Sequence, residues 1–117
     1  MNNKSLGTEW EREVVEILRH NGYWAHFLTP DQRGAQPFDI IAVRDDHAIA
    51  VECKTLSPKQ RYFSVDRFED NQIMAFQKWK RCGNTSVLIA LKWGEQWDFI
   101  PFDEIASAGK LDMLGRF

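Results

Sequence analysis

Asp39, Glu52 and Lys54 stand on two short apolar runs, residues 38–44 and 48–54, joined at Asp45-Asp46. Runs of this length and composition, interrupted by two turn formers, read as a β-hairpin. With Asp45 and Asp46 as the turn, Arg44 faces His47, and the same count carried back places Asp39 opposite Glu52. Such partners share a face, with Cβ atoms about 5 Å apart. Two like charges repel there unless a divalent cation lies between them. Mg²⁺ is commonly held by one or two carboxylates plus waters and a substrate phosphate. Lys54 follows Glu52 by two residues and so shares its face, while Cys53 points to the other side and offers its backbone carbonyl to the ion. Two acids, a carbonyl and an ammonium suit metal-assisted phosphoester hydrolysis. The alternative is that the charges only mark where a buried strand meets solvent.

Two more polar residues fall on faces that ought to be apolar. In the first helical segment Trp10, Val14, Ile17 and Leu18 form a stripe. At roughly 100° per residue Glu11 falls between Leu18 and Val15 on that stripe, whereas Glu9, Arg12, Glu16 and Arg19 fall on the opposite face. An inward carboxylate needs a partner or a raised pKa; the alternative is that Glu11 sits at the stripe's edge and reaches solvent. Gln72 precedes Phe76 by four residues and Trp79 by seven, so it shares their helical face. A buried amide must be satisfied, either by backbone or by the site.

The elements that must position these residues follow from periodicity and punctuation. Residues 8–20 read as a helix stopped by Asn21-Gly22, 23–28 as a strand, and 29–37 as a Gly- and Pro-containing loop. The hairpin comes next, then a short extended piece at 61–65 and a helix over 67–81 ending before Gly83. Strands at 86–92 and 96–102 flank a turn at Gly94, and Asp103 is a candidate cap for a helix at 104–108. The order αβββαββα describes an α/β sandwich, a mixed central β-sheet flanked by helices.

At 117 residues the chain suits a single domain with a real core, to which five Trp and eight Phe contribute. No apolar run approaches the ~20 residues needed to cross a bilayer, and the first residues lack the apolar stretch of a signal peptide. Cys53 and Cys82 have no C-x-x-C spacing and His20, His26 and His47 no ligand spacing, so a cytoplasmic protein with reduced thiols and no zinc is expected. A net charge of −2 and a pI near 5.9 do not announce a nucleic-acid binder. Positive charge is nevertheless uneven: between Lys54 and Arg81 bases outnumber acids, with Lys59 and Arg61 among them.

These residues also carry a resemblance. Gly7-x-x-x-Glu11-Arg12-Glu13, Asn21-Gly22-Tyr23, Asp39-Ile40-Ile41-Ala42 and Val51-Glu52-Cys53-Lys54 resemble the archaeal-type Holliday-junction resolvases of the PD-(D/E)XK nuclease superfamily, as does the closing run from Phe99 to Ile105. The middle, from Phe63 through Phe68-x-x-x-Gln72 to Leu88-Ile89, resembles the bacterial resolvases once called penicillin-binding-protein-related factor A. The resemblance implies a restriction-endonuclease-like fold, a homodimer, and cleavage of branched DNA with Mg²⁺ or Mn²⁺. It implies that Glu11, Asp39 and Glu52 are the acids, Lys54 the family lysine, and Gln72 the glutamine of part of the superfamily. Thr29 matches a family hydroxyl residue, and Arg33 and Gln36 in the 29–37 loop are candidate phosphate contacts. The proline stands two residues before the aspartate (Pro37-Phe38-Asp39) instead of adjacent, and the acidic pI leaves flaps, nicks or linear duplex DNA, or a silent DNA-binding module of the same fold, as alternatives.

Overall fold

Trp10, Val14, Val15 and Leu18 recur at helical spacing and are all buried, which fixes the orientation of helix α1 (Asn3–His20). Arg19 and His20 complement the negative end of its dipole. Gly22 then takes a φ of +87°, a conformation that favours glycine, and the chain reverses into strand β1 (Trp24–Phe27). Arg19 ties the reversal down by donating to the Ala25 carbonyl at 2.9 and 3.1 Å. The computed structural model describes residues 3–29 and 36–117, with side chains described from Thr8 onward.

Strands β2 (Ile40–Arg44) and β3 (His47–Leu56) form the expected hairpin. Asp45 and Asp46 both adopt positive φ, 51° and 66°, as a two-residue type I′ turn requires. The register runs from Arg44 with His47 to Ile40 with Val51, as counted from the sequence. After β3 come strand β4 (Tyr62–Ser64), a 3₁₀ turn (Val65–Arg67), helix α2 (Asp70–Arg81), and strands β5 (Leu88–Trp93) and β6 (Gln96–Pro101). Helix α3 (Phe102–Ala108), strand β7 (Lys110–Asp112) and the short helix α4 (Met113–Arg116) complete the described chain.

The main sheet has the order β1-β2-β3-β5-β6, parallel only between β3 and β5 and antiparallel elsewhere. This is the expected mixed sheet flanked by helices. Being central, β3 is buried on both faces, which explains its unbroken apolar run Ile49-Ala50-Val51. Val51 and Cys53 face the layer of α1, with Trp10, Val14, Leu18 and Ala42. Ala50 and Leu56 face the other layer, where Phe63, Phe68, Phe76 and Phe102 interlock edge to face around Ile89 and Ile100. The buried Trp10 indole is satisfied by the Ala90 carbonyl at 2.8 Å.

Three details depart from the sequence expectation. Helix α2 starts at Asp70 instead of about 67, because Ser64 caps a separate 3₁₀ turn by accepting from the Asp66 N–H. The extended piece near residue 62 is a true strand, paired with an unforeseen β7 in a second small sheet. Asp103 does not cap α3, since Pro101 occupies the cap position; its carboxylate pairs with Lys80 instead.

Candidate active site

Asp39 lies just before β2, where the hairpin register is broken by a bulge: Asp39 and Ile40 both stand opposite Val51. Its N–H donates to the Val51 carbonyl at 3.2 Å, and its own carbonyl accepts from the Leu28 N–H at 2.9 Å. The backbone at Asp39 is therefore locked from both neighbouring strands. Its carboxylate is equally constrained: Oδ2 accepts from the Cys53 N–H at 2.8 Å and Oδ1 from Gln36 Nε2 at 2.7 Å. Glu52, at the even positions of β3 with Ala50, points toward the layer of α2. Asp39 and Glu52, 9% and 5% exposed, are the buried charged residues among those described.

Two groups converge on one oxygen of Glu52. Gln72 Nε2 donates to Glu52 Oε2 at 2.5 Å, and Lys54 Nζ stands 3.9 Å from the same atom. The Lys54 ammonium also lies 5.2 Å from the centre of the Phe68 ring, a cation–π contact on the edge of the aromatic core. One ammonium does not neutralise this site. Burial, then the charge of Asp39 and a hydrogen bond to it, push the Glu52 carboxyl up to about 9 against the opposing pull of Lys54. The ionised form of Glu52 is therefore disfavoured until other positive charge enters the site.

Glu11 is half-buried and its carboxyl is also raised, first by burial and then by the charge of Asp39. It is carried by α1, on the layer opposite α2, and makes no hydrogen bond or ion pair among the described residues. The acids accordingly do not close into a three-ligand cluster of His, Cys, Asp or Glu among those residues. Burial and the three surrounding carboxylates also raise the Cys53 thiol, so it is no nucleophile.

The donor chemistry still fits a hard divalent cation. Two adjacent carboxylates with a surplus of negative charge are the protein share of a typical Mg²⁺ site, whose remaining positions go to water and phosphate. A closed all-protein cage or a thiolate site is not what these residues offer.

The candidate DNA contacts are scattered. Thr29 is exposed, two residues past β1. Arg33 lies outside the described residues. Lys59 is exposed in a turn where its N–H meets Ser57 Oγ at 3.3 Å. Arg61 is already committed: its Nε and Nη2 donate to the two carboxylate oxygens of Asp112 at 2.9 and 2.8 Å, which lowers the Asp112 pKa. Lys59 and Arg61 line a broad groove of about 1350 Å³ with Thr55, Tyr62, Arg67 and Lys92. The groove begins one residue past Lys54 and does not include the carboxylate pair. Sequence reasoning missed the Gln36 contact to Asp39 and the Phe68 contact to Lys54. Neither loop contacts nor ring positions have a period to read.

The fold has known counterparts. The structure of Archaeoglobus fulgidus Hjc, a Holliday junction resolvase from an archaeal hyperthermophile, superposes with a TM-score of 0.64 at 24% identity, over 83% of this chain and 78% of that one. No curated protein matches the sequence. The family model described as archaeal Holliday junction resolvase (Hjc) matches residues 2–113, nearly the whole chain. The chain belongs to the archaeal Holliday junction resolvase (Hjc) family, and through it to the PD-(D/E)XK nuclease superfamily.

Proposed function

We propose that the protein is a divalent-cation-dependent endonuclease that cuts four-way DNA junctions, with its active centre at Asp39, Glu52 and Lys54. The observation that carries the reading is the buried carboxyl pair Asp39–Glu52, with an amide and an ammonium directed at one Glu52 oxygen. A fold gains nothing from burying two carboxylates side by side, since each resists desolvation. Membership of a resolvase family supports the junction as substrate.

In this reading Asp39, Glu52 and the Cys53 carbonyl hold Mg²⁺ or Mn²⁺, with Glu11 acting through water or at a second ion. When bound, the cation supplies Lewis-acid polarisation at the phosphate and lowers the pKa of water. The protein's own residues do the rest. Lys54 offsets charge that accumulates on the phosphate as water adds across one P–O bond. Phe68, beneath the lysine, limits where the ammonium points. Gln72 fixes the Glu52 carboxyl so that its second oxygen stays available.

A four-way junction presents two symmetric strands, which favours a twofold dimer with two such centres. Lys59 is the exposed base we assign to the DNA backbone, together with exposed Thr29 and, on its residue type alone, Arg33; Arg61 contributes less because Asp112 holds it. A broader substrate range, including flaps, nicks and linear duplex, is favoured by one observation: the acidic pI of 5.9. Incubation with four-way, flap, nicked and linear DNA, with and without Mg²⁺, separates the two. Selective Mg²⁺-dependent cutting of the four-way form is expected. Equal cutting of all four supports the broader nuclease, and no cutting of any refutes both.

A further inference from the structure

Resting on the cation-binding reading of Asp39 and Glu52, we infer that Gln36 is a positioning residue that holds the Asp39 carboxylate for the cation, and not a phosphate contact. The geometry is specific. Asp39 Oδ2 is fixed by the Cys53 N–H at 2.8 Å, a backbone group of central strand β3. That single bond leaves the carboxylate free to swing about the Oδ2 contact. Gln36 Nε2, at 2.7 Å from Oδ1, removes the remaining freedom. Each carboxylate oxygen has two acceptor sites, so both keep one for a cation after these donors are counted.

Gln36 is well placed for the task. It is half-buried and precedes Asp39 by three residues, outside any helix or strand. Phe38, between them, is buried and packs against the ring of Trp79 with centroids 5.3 Å apart, anchoring the segment on α2. The amide is thus delivered from a pinned stretch of chain. A Gln side chain carries no charge, so it orients Asp39 without competing with a cation as a lysine there would. An arrangement of the same kind stands across the pair, where Gln72 donates to Glu52. Each acid therefore has one side-chain amide. Groups that orient metal-binding side chains in this way commonly contribute about 10–100-fold to metal affinity or activity.

The test is a Mn²⁺ titration of the intact protein, read from the magnetic-resonance signal of free Mn²⁺, on wild type, Gln36→Met and Asp39→Asn. Four-way junction binding is measured in parallel in EDTA. Gln36→Met keeps the length of the side chain and removes the donor. It is expected to weaken Mn²⁺ by about tenfold or more and to leave junction binding in EDTA unchanged. The Cys53 amide resonance should also shift in the cation-free variant, because the carboxylate it bonds is no longer held. Gln36→Ala repeats the measurement should the Met variant fail to fold. Wild-type Mn²⁺ affinity in either variant, with or without weakened DNA binding, overturns the positioning role. If Asp39→Asn binds Mn²⁺ as wild type does, or wild type binds none, the cation reading itself fails and the inference with it.

Discussion

Gln72 and Glu52 are joined by a 2.5 Å hydrogen bond whose direction is set elsewhere in the fold. Gln72 Oε1 accepts from the Glu69 N–H at 3.0 Å, closing one half of a capping box at the start of α2; the Glu69 side chain closes the other half. With its oxygen committed to the cap, the amide has only its NH₂ group to offer Glu52. A local helix-start signal thus orients a residue of the candidate centre. Stability and chemistry can be separated by changing one end of this amide.

Gln72→Glu does so. Glutamate is as good as glutamine at the third position of a capping box, so α2 should keep its start, and any loss of melting temperature comes from the added carboxyl beside Glu52 and should shrink as pH falls. The donor to Glu52 is lost and a third acid replaces it. Junction cleavage should fall by about 10–100-fold with binding in EDTA unaltered. Gln72→Ala should lose both activity and, from the missing bond to Glu69, roughly 0.5–1.5 kcal/mol of stability. Turnover and denaturant melts of the two variants check this.

Asp39→Asn and Glu52→Gln should abolish cleavage and leave the fold intact. Relief of the buried repulsion should make the cation-free Glu52→Gln protein at least as stable as wild type at pH 8. A circular-dichroism melt in EDTA measures it; a large loss of stability would mean that the pair is structural.

The raised Glu52 pKa fixes the sign of a pH effect. Between the ordinary value of 4.5 and about 9 the folded protein binds a proton that the unfolded chain releases. Stability in EDTA should therefore fall as pH rises through that window, with the burden absent below about 4.5. Cation binding displaces the same proton, so Mn²⁺ affinity should climb with pH toward 9. Urea melts and titrations at pH 6, 7.5 and 9 test both, and Glu52→Gln should flatten the first trend.

Lys54→Ala should lower the cleavage rate by on the order of 10²–10³ while Mn²⁺ binding persists. Single-turnover rates at saturating Mg²⁺ provide the comparison. Failure of Mn²⁺ to bind would make Lys54 a support for the acids, not a stabiliser of the phosphate.

Lys59→Ala and Arg61→Ala should differ. A phosphate contact contributes about one unit to the slope of log affinity against log salt. Removing Lys59 should reduce that slope, whereas removing Arg61 should leave it nearly unchanged, because Asp112 already occupies the guanidinium. Salt titrations of junction binding in EDTA report both slopes.

Much of this architecture was legible in the sequence because it rests on short-range rules. The Asp45-Asp46 turn set the register from Arg44 with His47 to Ile40 with Val51, whereas Asp39 steps out of that register by bonding Val51 and meets Glu52 through its side chain. The inward lean of Glu11 and the shared face of Gln72 with Phe76 followed from helical spacing. What escaped were contacts between segments without a period. The β4–β7 ladder pairs strands of three residues, too short to show alternation. Arg61 read as a free base because its partner, Asp112, lies 51 residues away. Gln36 read as a loop residue because only the folded chain turns its amide back on Asp39. Asp103 read as a helix cap, yet the helix starts two residues earlier than expected, at Phe102 after Pro101.

The most direct measurement is cleavage of a labelled four-way junction by wild type and Asp39→Asn, each in Mg²⁺ and in EDTA. Cutting is expected in one of the four reactions, wild type with Mg²⁺. Cutting by wild type in EDTA, or by Asp39→Asn at the wild-type rate, would contradict a cation-dependent centre at Asp39.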